Sequence, residues 1–222
     1  YVLNHMLYSG LLGASLNAKV YNRAVPSTGS MLASFCLDQL LPEHVDLLII
    51  DYAINDLLTT AGGVISSIGG ARFSPVAAME RLLRRVLRYR PRTMPLILYI
   101  CKPGQWASRC EGLYSRVAQH YGVPEVSLVR DWPTNASEAS WYHGWWQIHP
   151  VGATHVAVAQ TVERALRYLW RGEASNVSRG VARWLAGRGA TARARLPSPK
   201  FLTSREMQWD SDSQAGWQCR SC

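Results

Sequence analysis

Hydrophobic and polar positions along the chain follow two alternating periods. Residues 1–15, YVLNHMLYSGLLGAS, carry apolar side chains at helical spacing, and AKVYNRAV (18–25) reads as a short strand followed by the loop PSTGS. A helix near 31–41 leads into VDLLIIDY (45–52), a continuous apolar run expected of a strand buried on both faces. Ser74 and Pro75 predict an N-cap with proline at the first helical position. They open AAMERLLRRVLRYR, whose leucines are expected inward and whose arginines are expected toward water. PLILYIC (95–101) reads as another buried strand, SRCEGLYSRVAQHYG (108–122) as a helix stopped by Gly122, and PEVSLV (124–129) as a further strand. The last helix is expected over VGATHVAVAQTVERALRYLWRG (151–172).

Strands alternating with helices predict βαβ units. The expected fold class is α/β, a doubly wound and mostly parallel sheet with right-handed crossovers. It occupies residues 1–172; residues 173–205 are rich in Arg, Gly, Ala and Ser and read as a basic low-complexity linker, and 206–222 as the start of a small C-terminal module. In such sheets chemistry collects in loops beyond the carboxyl ends of the strands. Three segments with unusual residues fall there: AVPSTGS after the first strand pattern, IND (54–56) after the second, and QIHP (147–150) before the final helix. They nominate Gly29, Asn55 and His149.

Composition narrows the picture. The 222 residues are 48% hydrophobic and 18% charged, ordinary for a globular chain. No stretch approaches the ~18 uninterrupted apolar residues of a membrane-spanning helix. The net charge of +9 raises nucleic acid as a partner, but +3 of it lies in residues 1–160 and +6 in 161–222. The late arginines are scattered among small residues without a stacking platform of aromatics, which argues for a solvated linker and against nucleic-acid binding. Of five cysteines, Cys219 and Cys222 have CxxC spacing with no second ligand pair, so no metal is expected. The sequons at Asn135 and Asn176 tilt the compartment toward the secretory pathway or the cell exterior, where the protein would be a glycoprotein.

The three nominated segments together resemble the SGNH (GDSL-like) hydrolases, esterases of flavodoxin-like fold. NRAVPSTGS looks like the block whose glycine supplies an oxyanion-hole N–H, DLLIIDYAIND like the block that ends in an oxyanion-hole asparagine, and IHPVGATHVAVA like the block whose histidine before proline is the general base. The resemblance covers roughly residues 1–170 and implies Gly29 and Asn55 as oxyanion donors, His149 as base, a serine acyl-enzyme, and no cofactor. It implies a carboxylic ester substrate, including O-acetyl groups of a glycan. Two departures are visible. No Gly-Asp-Ser occurs, Ser9 is no substitute, and the resemblance places both the nucleophile and the first strand upstream of Tyr1; the position of the acid that orients the histidine holds Trp146. Asp131, Glu138 or a backbone carbonyl would have to orient the imidazole instead.

Plainer readings stand beside these. Pro150 can be the first residue of a helix with His149 merely before it, Asn55 a turn residue, and Gly29 a flexible loop position. Trp141, Tyr142, Trp145 and Trp146 suit either a wall for sugar rings or an apolar plug over the sheet edge. The competing function is a catalytically inactive SGNH-like module that binds a glycan or a partner. A third reading is an interaction protein acting through its basic tail.

Overall fold

A computed structural model describes residues 10–61, 74–101, 105–128, 142–143, 149–171 and 200. In chain order the elements are α1 (10–16), α2 (Ser30–Leu40), β1 (Leu47–Ile50), α3 (Ala53–Ala61), α4 (Pro75–Tyr89) and β2 (Met94–Tyr99). There follow α5 (Gln105–Tyr121), β3 (Glu125–Ser127), β4 (Tyr142–His143), β5 (His149–Pro150) and α6 (Gly152–Arg171). The architecture is mixed α/β. β1, β2 and β3 form a parallel sheet in that order, with Leu47 opposite Met94 and Ile97 opposite Glu125.

The apolar run of β2 explains the layering. Successive side chains of a strand point to opposite faces. Ile97 and Tyr99 enter one core with Leu37 of α2, Met79, Leu83 and Val86 of α4, and Tyr114 and Val117 of α5. Leu96 and Leu98 enter the other, with Leu12 of α1 and Val158, Val162 and Leu166 of α6. Helices therefore cover both faces, which is why the strand sequences are apolar without interruption rather than alternating. At the end of β2, Cys101 is disulfide-bonded to Cys110 of α5, with a Cα separation of 6.3 Å. Gly122 ends α5 at φ 64°, a left-handed conformation that glycine adopts without strain, while the Val123 N–H donates to the Ala118 carbonyl.

Three expectations change, and a fourth, the Ser74–Pro75 helix start, holds in position but without its side-chain cap bond. AKVYNRAV is not a strand: residues 18–25 belong to no helix or ladder, and Val20, Tyr21 and Val25 are exposed. β-propensity describes fit to a pleated, half-buried surface, and no strand among the described residues supplies that surface. The IND segment is not a loop; Asn55 and Asp56 lie in the first turn of α3. Ser74 stands at the N-cap of α4 but makes no side-chain cap bond, and the helix instead begins on the Ser74 carbonyl, which accepts from Ala78 N–H at 2.9 Å. The arginines of α4 do not all face water: Arg81 is buried, its guanidinium stacked 4.9 Å from the Phe35 ring, and Arg85 donates to the Ser34 carbonyl at 2.7 Å. Long cationic side chains can bury their stems while the head finds carbonyls or a ring. In α6, His155 is buried in the packing. The expected linker and C-terminal module lie outside the described residues except for Lys200, whose N–H donates to Glu80 Oε1 at 2.7 Å.

Candidate active site at the carboxyl end of the first parallel strand

β1 ends at Ile50, and the chain passes through Asp51 and Tyr52 directly into α3. The short connection fixes the first turn of α3 against the segment that precedes α2. Asn55 Nδ2 donates to the Thr28 carbonyl at 2.8 Å, joining positions 27 residues apart. One residue on, Asp56 receives the Ser30 N–H on both carboxylate oxygens, at 3.1 and 3.2 Å. The Tyr114 hydroxyl, arriving from α5, donates to Asp56 Oδ2. Adjacent residues of one helical turn thus hold Thr28, Gly29 and Ser30 from both ends.

The local backbone shows why a side chain from another element is needed. Gly29 is the N-cap of α2 and makes no side-chain cap bond. The first amides of a helix lack intrahelical acceptors. Asp56 fills the role across space, placing a carboxylate at the positive end of the helix dipole. The approach is so close that a Cβ on Gly29 would overlap Asp56 Oδ1 and lie 3.0 Å from Cγ. Just upstream, Ser27 is held at φ 60°, in the sparsely populated left-handed region, and Thr28 Oγ1 donates to the Val25 carbonyl at 2.8 Å.

The electrostatics follow from burial. Asp56 is 5% exposed, and desolvation pushes its carboxyl upward against the opposing pull of the Ser30 and Tyr114 hydrogen bonds. Tyr114, wholly buried beside that carboxyl, is raised well above the ordinary phenol value by desolvation and then by the Asp56 charge. Asp51 is a second, partly buried carboxyl: its Oδ1 is buried with no hydrogen-bond partner among the described residues, and desolvation raises it to about 7. Tyr52 beside it is raised to about 12, by burial first and then by Asp51 and Asp56. Ser30 lies in this cluster, yet it is fully buried, and its hydroxyl donates to the Pro75 carbonyl at 3.4 Å.

The structure therefore brings together two of the three nominated segments, those of Gly29 and Asn55. Peptide units here are planar and trans, so the Gly29 N–H projects opposite to the Thr28 carbonyl that Asn55 holds. One hydrogen of the Asn55 amide is thereby committed to the loop. His149 is in the two-residue strand β5, antiparallel to β4, with His143 opposite His149 and Tyr142 opposite Pro150. Pro150 is consequently not the first residue of α6, which starts at Gly152. Trp141, Trp145 and Trp146, with Asp131 and Glu138, lie outside the described residues.

Asp56, Ser30 and Tyr114 had no place in the sequence reading. A buried acid directly after Asn55 was the only available signal, and its partners lie 26 and 58 residues away. Among the described residues no group of His, Cys, Asp and Glu is arranged to hold a metal ion, and no helix is long and apolar enough to cross a membrane. No model of a known protein family matches the chain, and no curated protein matches it.

Proposed function

We propose that the chain is the body of an SGNH-type, flavodoxin-like ester hydrolase, acting on carboxylic esters such as the O-acetyl groups of a glycan. The observation that carries the reading is the hydrogen bond from Asn55 to Thr28, which seats two segments of family-like sequence together at the carboxyl end of a parallel strand. Ligands of open α/β sheets bind at that end. In this reaction a serine hydroxyl attacks the ester carbonyl while the His149 imidazole takes its proton and gives it to the departing alcohol as the C–O bond breaks, and a water deprotonated by the same imidazole then releases the acid and restores the serine. The serine belongs to the family's Gly-Asp-Ser block, which this sequence lacks. The oxygen that becomes negative is met by the Gly29 N–H, while the Asn55 amide, bonded to the Thr28 carbonyl on the other side of that peptide, holds the donor in place. The Cys101–Cys110 disulfide fits an oxidising compartment, as do the two sequons.

In the full-length protein, Asn55→Ala is expected to lower kcat for p-nitrophenyl acetate by about 10²-fold with little change in KM, since it releases the peptide whose N–H meets the charge of the transition state. An unchanged kcat would remove Asn55 from the mechanism. The second reading, an inactive module that binds a glycan or partner, draws on the same hydrogen bond. An amide already occupied by Thr28, with the Gly29 N–H turned to the opposite side of the peptide, suits a scaffold as well as a catalyst. Its signature is saturable glycan binding by a wild-type protein that hydrolyses no ester.

A further inference from the structure

We infer that Asp56 is a positioning residue for this site: by capping α2 through the Ser30 N–H it fixes the Gly29 peptide, and Gly29 is glycine because the carboxylate occupies the space of its side chain. The catalytic half of this inference rests on the oxyanion reading above. The structural half stands on geometry alone.

Three contacts converge. Both Asp56 oxygens accept from Ser30 N–H, the Tyr114 hydroxyl anchors Oδ2 from α5, and a Cβ on Gly29 would clash with Oδ1. Asn55 holds the carbonyl of the Thr28–Gly29 peptide and Asp56 holds the N–H of the following Gly29–Ser30 peptide, so the peptide units on both sides of the Gly29 Cα are fixed. Rotation of either one would break its bond. A loop glycine usually reads as freedom for the backbone, or as open room for a substrate. Here the room is already taken by an internal carboxylate, so Gly29 serves rigidity.

The two explanations of Gly29 separate in a double-mutant cycle on the full-length protein. If the carboxylate is the obstacle, Gly29→Ala lowers the melting temperature by about 5–10 °C in the wild-type background and by less than half of that in an Asp56→Ala background. If Gly29 instead keeps a path open for substrate, the cost in stability is small in both backgrounds, and that result overturns the inference. Asp56→Asn keeps the size of the group and the fold, and reports on positioning. Its kcat is expected to drop ~10- to 100-fold while KM stays within about twofold, and Tyr114→Phe is expected to fall between it and wild type.

A direct readout does not need activity. The Ser30 amide resonance of the wild-type protein is expected to shift on acidification as Asp56 takes up a proton, and to stop responding in Asp56→Asn. A Ser30 amide that ignores both changes sinks the inference. Absence of hydrolysis in wild type would defeat the esterase reading, and the Ser30 resonance and the stability cycle would still decide whether Asp56 holds the segment.

Discussion

Asp56→Ala is expected to destabilise the folded protein by about 2–5 kcal/mol, a loss visible as a lower urea midpoint with an unchanged slope. The magnitude follows from what is left behind. Ser30 N–H and the Tyr114 hydroxyl are both buried, and each loses its acceptor. A buried donor left unsatisfied costs about 1–3 kcal/mol. The N-terminus of α2 also loses the negative charge at its positive end, for which Gly29 has no side chain to compensate. Asp56→Asn should cost distinctly less, since one amide oxygen still accepts from Ser30 and the amide hydrogens can donate to the Tyr114 oxygen. Equal stability of wild type and Asp56→Ala would show that water enters the cluster and that the cap is unimportant.

Asp51→Asn is expected to act in the opposite direction, and only on one side of a pH window. Burial raises the Asp51 carboxyl from an ordinary 3.8 to about 7. A group with a raised folded pKa favours folding fully below its unfolded value, and that advantage disappears as pH rises through the folded value. Wild type should therefore lose stability relative to Asp51→Asn between about pH 4 and pH 7, by roughly 1–3 kcal/mol once solvent screening of this partly buried group is allowed for, and lose no more above that. Asp56 and Tyr52 lie near enough for their charges to bear on the same cluster, so the difference between the two proteins is the quantity to follow. Asparagine keeps the size of the side chain without the charge. Parallel stability curves for the two proteins across that window would contradict the desolvation of the Asp51 carboxyl at the end of β1.

The places where the sequence was legible share a cause. MPLILY is apolar without interruption because both faces of β2 are covered, and a local composition of that kind has few other solutions, whereas LLII of β1, at the edge of the sheet among the described residues, is fully buried only at Ile50. The stop at Gly122 was legible because a left-handed residue after a helix needs only glycine. AKVYNRAV misled because alternation specifies a strand only when a neighbour completes the ladder, and that neighbour is a property of the sheet rather than of the segment. Asn55 and Gly29 could be nominated by pattern, although Asn55 proved to be helical. Asp56 could not be assigned a role, because its work depends on the N-terminus of one helix and a tyrosine of another. The same holds for Asp51, whose lack of a partner is visible only once the surrounding elements are in place.

The central claim is that Gly29, Asn55 and His149 serve one ester-cleaving site. It is tested most directly by the rate of ester hydrolysis by the full-length protein and by its His149→Ala variant at pH 7.5, on p-nitrophenyl acetate and on an O-acetylated glycan. With the general base removed, kcat is predicted to fall on the order of 10⁴-fold or more. Hydrolysis by the variant at the wild-type rate would contradict the account.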